Sequence, residues 1–198
     1  MNALLKRIFD IIVSLVALII LSPLILILAL IVRFTSPGPI FYMASRVGLN
    51  GQPFKLFKFR SMVINADKVG PGITTSGDRR ITPIGKILRR TKMDELPQLL
   101  NVLRGDMSMV GPRPEDARYI AMYTPDQRKV LDVRPGITSL ASVKYRNEEA
   151  MLIGKDWETT YVNEIMPAKL AIDLEYVQHA SVMRDIEIMF RTFLALFH

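Results

Sequence analysis

The sequence predicts a mainly α-helical protein with a small β or irregular element, attached to a membrane by an amino-terminal helix. An uncharged apolar run covers Ile11 to Val32, which is long enough for a membrane helix. Apolar residues recur at helical spacing in two later stretches, 94–105 and 167–197, whereas strand-like patterns are confined to two short runs. The chain therefore divides into a membrane element, residues 1–36, and a larger folded domain, residues 37–198.

Two paths through the membrane are open to the amino-terminal run. Its 22 residues extend roughly 33 Å as a straight helix, enough to cross a hydrocarbon core of about 30 Å. However, Ser22-Pro23 lies at its centre, and proline removes a helical hydrogen bond and bends the helix. Lys6 and Arg7 before the run and Arg33 after it favour the cytoplasmic side for both ends. The run predicts either a spanning helix or a re-entrant one broken at Ser22-Pro23, whose freed carbonyl groups need Ser22 or protein neighbours as partners.

A small hairpin and a loop are predicted after the membrane element. Ser36-Pro37-Gly38-Pro39 forms a turn and a boundary. The runs Ile40–Met43 and Phe54–Phe59, separated by Gly48-Leu49-Asn50-Gly51, predict a hairpin or irregular strands. The segment Asp67–Arg80 is rich in Gly, Pro, Thr and Ser, which predicts a mobile loop.

Helices joined by Pro-Gly loops are predicted for the rest of the chain. They cover Pro83–Arg90, Asp94–Gly105, roughly Pro114–Val130, and two segments within Pro167–Phe197. Gly105 is a suitable C-cap for the second of them. The last helix predicts an amphipathic, interfacial element. Its apolar face consists of Ile186, Met189, Phe190, Phe193, Leu194 and Phe197.

The composition restricts the partners and the chemistry. The net charge of +7 favours anionic partners, which include nucleic acid, anionic lipid and phosphate-rich substrates. The absence of cysteine excludes disulfides, thiol nucleophiles and Cys-based zinc sites. His179 and His198 do not have metal-ligand spacing, so any metal is expected to be a hard cation bound by carboxylates.

The acidic pair Asp94-Glu95 is the main candidate for chemistry. As N-cap and first-turn residue of the predicted helix, the two carboxylates would lie beside free N–H groups at the positive end of the helix dipole. This position would keep them ionised and directed outward. An ionised, fixed Asp94 suits nucleophilic attack on phosphorus, and Glu95 suits Mg²⁺ binding or proton transfer. The simpler alternative is a helix cap with an acidic first turn.

Cationic residues surround this pair in the sequence. Arg113 lies in the rigid loop Gly111-Pro112-Arg113-Pro114. The planar guanidinium group of arginine is suited to bidentate contact with phosphate oxygens. Only 8% of the chain is aromatic, whereas nucleic-acid grooves more often combine basic and aromatic residues. The pattern therefore favours a site for a diphosphate over a site for nucleic acid, and we expect no nucleic-acid partner. The other candidates for phosphate binding are Lys58, Arg60, Arg89 and Arg134, and Arg46 is a further polar candidate for the site.

Six motifs in order along the chain resemble one family. They are Arg46-Val47-Gly48, Lys58-Phe59-Arg60-Ser61-Met62, Asp94-Glu95-Leu96-Pro97-Gln98, 101–108 (NVLRGDMS), Gly111-Pro112-Arg113-Pro114 and 133–138 (VRPGIT). The chain resembles the monotopic polyprenyl-phosphate phosphoglycosyl transferases, the bacterial sugar transferase family that initiates glycan assembly. The resemblance covers most of the chain.

The resemblance implies a fold, a reaction and a location. It implies a re-entrant helix broken at Ser22-Pro23 and a catalytic domain on the cytoplasmic face of the bacterial inner membrane. It implies a Mg²⁺-dependent dyad, with Asp94 as nucleophile and Glu95 as acid-base or metal partner, and phosphate binding by Arg89 and Arg113. The implied partners are a UDP-sugar, polyprenyl phosphate and membrane lipids. Asp173 and Asp185 match aspartates of the family.

Two features depart from the family pattern. Relatives often have Gly-Leu-Ala-Gln where this chain has Ser139-Leu140-Ala141-Ser142, so the resemblance does not identify the sugar that is transferred. The sequence does not identify the oligomeric state either. The segment Asn147–Lys169 resembles a variable insertion, and the chain is close to the minimal catalytic unit.

The competing hypothesis is a non-catalytic, membrane-attached basic domain, whose electrostatic binding would weaken with salt and not depend on Mg²⁺.

Overall fold

The fold is taken from a computed structural model that describes residues 2–66, 74, 77–152 and 156–195. Most of the predicted loop Asp67–Arg80 and the predicted face residue Phe197 lie outside these ranges. The described chain is mainly helical with two small sheets, which confirms the predicted fold class.

Helix α1, Ala3–Thr35, covers the predicted membrane element. Asn2 caps it by accepting hydrogen bonds from the N–H groups of Leu4 and Leu5. In the described part of the chain, α1 alone is long and apolar enough to cross a membrane, with a mean hydropathy of 3.3. Its 33 residues extend roughly 50 Å.

The predicted break at Ser22-Pro23 is not found, because α1 continues through it as one helix. Pro23 has no N–H to donate to the carbonyl of Ile19, four residues earlier. The hydroxyl of Ser22 donates to that same carbonyl at 2.9 Å. Ser22 therefore supplies the partner that the sequence required, and the proline costs the helix less than expected. The re-entrant path in a membrane stays a prediction.

The predicted hairpin is confirmed. Strands β1, Phe41–Val47, and β2, Pro53–Phe59, pair antiparallel, with Phe41 opposite Phe59. A 3₁₀ turn, Leu49–Gly51, joins them. Its residues Asn50 (φ 54°) and Gly51 (φ 75°) adopt the left-handed backbone that Asn and Gly tolerate best.

The two helices around the acidic pair differ in how well the sequence predicted them. Helix α2 is Pro83–Arg90, as predicted, with Thr82 as its N-cap. Helix α3 is Gln98–Arg104, and Gly105 closes it at φ 93°. Asp94 is not its N-cap, because it lies in a separate 3₁₀ turn, Met93–Glu95. The left-handed Lys92 separates this turn from α2, and Pro97, which has no N–H to donate, separates it from α3.

A second sheet, which the sequence did not predict, joins the two Pro-Gly loops. Strands β3, Ser108–Val110, and β4, Gly136–Thr138, pair in parallel. A Cβ atom at Gly136 would lie 2.1 Å from the backbone nitrogen of Gly111, so only glycine permits this approach. The loop that carries Arg113 is therefore held backbone to backbone.

The predicted helix Pro114–Val130 is wrong. The structure has helix α4, Ala117–Ile120, and a 3₁₀ turn, Gln127–Asp132. Pro125 lies between them and cannot donate a helical hydrogen bond.

The carboxyl-terminal third is helical. Helices α5, Leu140–Lys144, and α6, Glu148–Met151, precede α7, Trp157–Thr160, which continues through a π-helical turn into α8, Met166–Gln178. Helix α9 is Val182–Ala195. The last two confirm the predicted pair of tail helices. Ile186, Phe190, Phe193 and Leu194 on α9 are exposed, as an interfacial face requires, whereas Met189 packs into the core.

Helix α1 contacts the folded domain along its whole length. Near its carboxyl end, Leu28 and Val32 pack with Phe59 and Leu88. Four residues in its first half and middle pack on the core around Val102: Val13, Ala17, Leu18 and Leu21. Both ends of α1 therefore lie on the same domain.

Polar contacts hold the amino-terminal end of α1. Lys6 Nζ lies 2.6 Å from an oxygen of Asp185 on α9 and 3.1 Å from Asp10. Asp10 also accepts hydrogen bonds from the Ser108 hydroxyl and the Met109 N–H, each at 3.0 Å. We call Lys6, Asp10 and Asp185 the amino-terminal latch. Asp185, which the sequence suggested as a site residue, therefore takes part in the packing of α9 against α1.

Cysteines placed at the two ends of α1 are expected to face the same side of the membrane. Asn2→Cys and Pro37→Cys replace exposed residues that flank the helix, and the chain has no native cysteine. Because both ends of α1 lie on one domain, an impermeant thiol reagent should label both variants from the same side of sealed vesicles. Labelling from opposite sides would exclude the re-entrant path.

Candidate functional site

Glu95 lines a large cavity, and Asp94, the other member of the acidic pair, is buried next to it. This cavity has a volume of about 1160 Å³ and is bounded by the hairpin, by the α2–α3 region, by the Arg113 loop and by α5. Its wall is strongly cationic. The basic residues on it are Arg46, Lys55, Lys58, Arg60, Arg80, Arg89, Lys92, Arg113, Arg118, Arg146 and Lys169. A cavity with this lining suits a ligand that carries several phosphate charges.

Glu95 is bound by two cations at this cavity. Lys58 Nζ and Arg113 Nη2 both donate to Glu95 Oε1 at 2.8 Å. Burial by itself would raise the pKa of Glu95, but the charges and hydrogen bonds of Arg113 and Lys58 hold that pKa well below its usual range. Glu95 is therefore ionised, as predicted, and the same contact raises the pKa of Arg113.

Asp94 has a different environment from its neighbour. Its side chain is buried, and its Oδ1 atom has no hydrogen-bond partner. Burial raises the pKa of Asp94; the Lys58 ammonium opposes this rise and the Glu95 carboxylate adds to it. The expectation of an outward-facing, dipole-stabilised carboxylate is thus wrong for Asp94, since the 3₁₀ turn directs it inward. Adjacent carboxylates with opposite pKa shifts are typical of acid-base and nucleophilic sites.

The acidic pair fits Mg²⁺ in one respect. Within the described residues, no group of three or more Asp, Glu, His or Cys side chains could by itself bind a metal ion. Mg²⁺, however, is commonly bound by one or two carboxylates together with substrate phosphates and water. The buried Oδ1 of Asp94 lacks a partner, and an unpaired buried oxygen of this kind is a suitable metal ligand.

The structure brings most of the predicted phosphate-binding residues to the cavity. Lys58, Arg89 and Arg113 lie near the acidic pair, and Arg46 lies further along, paired with Asp116 at 3.2 Å. Arg60 is on the wall but buried, and its Nη2 donates to the carbonyl and hydroxyl oxygens of Ser36. It therefore also ties the hairpin to the end of α1.

Arg134 is the predicted cation that does not line the cavity. Its Nε donates to the carbonyl oxygen of Gly105 at 2.8 Å, at the carboxyl end of α3. This contact satisfies a carbonyl that the helix leaves unpaired. The structure thus gives Arg134 a local role, at the opposite end of α3 from Asp94.

Asp173 supports the Arg113 loop from α8. It is buried, its Oδ1 atom has no hydrogen-bond partner, and the Ser139 hydroxyl and the Arg113 N–H act on its charge. Burial raises the pKa of Asp173 to about 7, although Ser139, Lys169 and Arg113 act in the other direction. The sequence predicted Asp173 as a site residue, and the structure connects it to the backbone of the site.

Asp173→Asn is expected to remove part of the pH dependence of stability. The pKa of Asp173 is about 7 in the folded chain and 3.8 is its ordinary value, so between these pH values the folded state holds a proton that the unfolded state has lost. The free energy of unfolding should therefore fall as pH rises from about 4 to about 7, by on the order of a few kcal/mol. Melting temperatures across this range should vary less in Asp173→Asn than in wild type. Parallel curves for the two proteins would contradict the shift.

Sequence reasoning missed the wall contributed by the segment Asn147–Lys169. Lys169 pairs with Glu148 across this segment at 2.5 Å. Tyr161, in the π-helical turn, donates a hydrogen bond to Glu115 beside the Arg113 loop. Leu152 and Tyr161 are also core residues. The segment is thus part of the domain core, and its irregular spacing concealed this in the sequence.

Two adjacent carboxylates with opposite pKa shifts beside a cationic cavity suit the transfer of phosphate-linked groups. The bacterial sugar transferase family model matches residues 1–198. The chain belongs to the bacterial sugar transferase family, and this membership makes it an enzyme, as the sequence predicted.

The relatives of this chain act on more than one sugar. The UDP-glucose:undecaprenyl-phosphate glucose-1-phosphate transferase of Caulobacter vibrioides is 40% identical over 192 residues, which cover 94% of this chain and 67% of the relative. The UDP-N-acetylgalactosamine-undecaprenyl-phosphate N-acetylgalactosaminephosphotransferase of Aeromonas hydrophila is 35% identical, over 96% of this chain but 43% of the relative. An exopolysaccharide production protein of Rhizobium leguminosarum is 41% identical, over 97% and 94% of the two chains.

Proposed function

We propose that this protein transfers a sugar 1-phosphate from a UDP-sugar to polyprenyl phosphate, in particular undecaprenyl phosphate. The reaction proceeds through a covalent aspartyl-phosphosugar intermediate and releases UMP. It is the first membrane step of a bacterial glycan pathway, at the cytoplasmic face of the inner membrane. The names of the relatives support the substrates, and the apolar helix α1 supports the membrane location.

The arrangement of Asp94 and Glu95 is the observation that carries this proposal. One carboxylate is ionised between Lys58 and Arg113, and the next is buried with an unpaired oxygen beside the same cationic cavity. A helix cap alone would not account for these contacts, since Asp94 does not cap α3. Nor would a non-catalytic basic surface require a buried acidic pair.

The first half of the reaction uses Asp94 as nucleophile. An Asp94 carboxylate oxygen attacks the phosphorus attached to the sugar, the bond from that phosphorus to the bridging oxygen breaks, and UMP leaves with the electron pair. Lys58 and Arg113 bind the diphosphate oxygens and neutralise the charge that would repel a carboxylate. Asp94 and Glu95 would hold Mg²⁺, which would supply further charge neutralisation when bound.

Substrate binding must rearrange the resting contacts of the pair. Glu95 lines the cavity and Asp94 lies behind it, so Asp94 has to become accessible before attack. The phosphates of the substrate compete with Glu95 for Lys58 and Arg113. This competition frees Glu95 and opens the wall next to Asp94.

The second half returns the enzyme to its starting state. A phosphate oxygen of the polyprenyl phosphate attacks the phosphorus of the aspartyl intermediate, and the bond to Asp94 breaks. The product is a polyprenyl diphosphate sugar with Asp94 restored as a carboxylate. Because the two substrates react in turn, one set of cations serves both.

A panel of UDP-sugars tests the proposal. The purified protein in lipid nanodiscs is incubated with each UDP-sugar, undecaprenyl phosphate and Mg²⁺, and UMP release is measured. We expect at least one sugar to give UMP, and chelation by EDTA to stop the release until Mg²⁺ is restored. Binding to anionic lipid that ignores Mg²⁺, without UMP from any sugar, would favour the non-catalytic alternative.

Arg113→Lys is expected to impair the enzyme although the charge is kept. Lysine lacks the planar fork that binds two phosphate oxygens, so the variant should lose about 1–3 kcal/mol of binding to the diphosphate, or roughly 5- to 150-fold in kcat/KM. Arg128→Lys, at an exposed position of the 3₁₀ turn Gln127–Asp132, is the matched control. Equal kinetics for the two variants would show that Arg113 acts only as a surface charge.

A further inference from the structure

The large cavity has two chemically different ends. Lys58, Arg89 and Arg113 surround the acidic pair at one end. The other end is apolar, and α1, α3, β4 and α9 contribute its wall. Its residues are Ala17, Leu21, Leu99, Ile137 and Ala195.

Resting on the proposed function, we propose that this apolar end is a groove for the first isoprenoid units of the acceptor lipid. We call it the α1–α9 groove. A polyprenyl phosphate combines a phosphate with a branched hydrocarbon chain, and the cavity has the same two parts in one continuous space. The phosphate would lie among the cations at Asp94 while the chain leaves the site along α1.

Helix α1 has two faces at the level of the groove. Ala17 and Leu21, one turn apart, are partly buried and line the cavity. Val16 and Ile20, their neighbours, are exposed by 49% and 69% and face away from the core. The lipid-facing side of α1 is therefore only one residue along the chain from the side that lines the groove.

The α9 side of the groove is suited to hydrocarbon as well. Thr192 lines the cavity, but its hydroxyl is paired with that of Thr138 at 2.7 Å, so it leaves no unpaired polar group for the chain to cover. Ala195 presents a small side chain, and the exposed apolar residues Phe190 and Leu194 lie on the same helix. The α9 side therefore offers an apolar chain a surface without an unpaired hydroxyl at Thr192.

The size and charge of the cavity favour this occupant over the donor alone. Sites for drug-sized ligands usually have volumes of about 300–1,000 Å³, and this cavity has about 1160 Å³. A UDP-sugar has no hydrocarbon chain to occupy the apolar end. The groove gives the second substrate a separate place for its chain, so that only the phosphate sites are used in turn.

Thiol protection tests the groove without relying on catalysis. Leu21→Cys places a thiol in the groove, Ile20→Cys places one on the exposed face one residue away, and the chain has no other cysteine. Both variants in nanodiscs are labelled with N-ethylmaleimide, with and without undecaprenyl phosphate. At about ten times its apparent Kd, undecaprenyl phosphate should slow labelling of Leu21→Cys roughly tenfold and leave Ile20→Cys unchanged. Undecaprenol, which lacks the phosphate, should protect less.

A bulky substitution gives the kinetic counterpart. Ala17→Trp fills the groove and should raise the KM for undecaprenyl phosphate by about tenfold or more, which is roughly the loss of one buried apolar contact. Formation of the covalent adduct from UDP-sugar alone, measured by intact mass, should persist in this variant. Ile20→Trp on the exposed face is the matched control and should leave both measurements unchanged.

The outcomes separate the groove from the transferase activity. UMP release by wild type, combined with equal labelling of Leu21→Cys with and without the lipid, overturns the groove and leaves the activity in place. Protection of both cysteines to the same extent also overturns it, since the lipid would then only coat α1. Selective protection in a protein that releases no UMP supports the groove and contradicts the activity.

Discussion

Asp94→Asn is expected to abolish turnover, with UMP release reduced by about 10³-fold or more, as for other enzymes that lose their nucleophile. The amide has the size of the carboxylate but cannot attack phosphorus. The fold should persist, because Asp94 does not cap α3 and its Oδ1 has no hydrogen bond to lose. The phosphosugar adduct, seen by intact mass after incubation with UDP-sugar alone, should also disappear.

Asp126→Asn is the matched control for this substitution. Asp126 is exposed and forms an ion pair with the surface residue Lys129, so its amide should be neutral in the same assays. Both variants should retain the wild-type melting temperature in detergent. If Asp94→Asn keeps more than about a tenth of wild-type turnover, the nucleophile is another residue.

Local sequence chemistry predicted the elements that depend on near neighbours. Helix α2 begins at Pro83 as predicted, and the Gly105 cap indicated the end of α3. The turn chemistry of residues 48–51 indicated the hairpin. In each case the deciding interactions lie within a few residues along the chain.

Long-range contacts account for what the sequence did not predict. Strands β3 and β4 have three residues each, and their pairing depends on the close approach of Gly111 and Gly136, which are 25 positions apart. Alone, each stretch has the composition of a Pro-Gly loop. The amino-terminal latch depends on Asp185, which is distant in sequence from Lys6. Hydrophobic periodicity in the sequence does not predict a contact between residues so far apart.

The candidate site shows the same division. The motifs indicated which residues take part, and Lys58, Arg89 and Arg113 do lie at the cavity with Glu95. The geometry of Asp94 depends on the 3₁₀ turn and on its packing, so the helix-dipole argument predicted the wrong orientation. Residue identity therefore predicted the members of the site better than their environments.

Asp185→Leu is expected to cause the largest loss of stability among single changes at the latch. Asp185 is fully buried and Lys6 nearly so, and removing one partner of a buried ion pair costs about 3–5 kcal/mol. Because Lys6 keeps Asp10 as a second partner at 3.1 Å, the loss should lie near the lower value. For a chain of this size, about 3 kcal/mol lowers the melting temperature by roughly 6–12 °C.

Two further variants separate the buried charge from the volume change at Asp185. Glu187→Leu, two residues along α9, removes an exposed partner of Arg191 and should cost at most about 1 kcal/mol. The double variant Lys6→Met/Asp185→Leu also removes the cation that Asp10 keeps in Asp185→Leu, so it leaves a buried carboxylate unpaired and should melt below Asp185→Leu. Melting in detergent measures all four proteins. A melting temperature for Asp185→Leu within about 2 °C of wild type would mean that the latch contributes little to holding α1 on the domain.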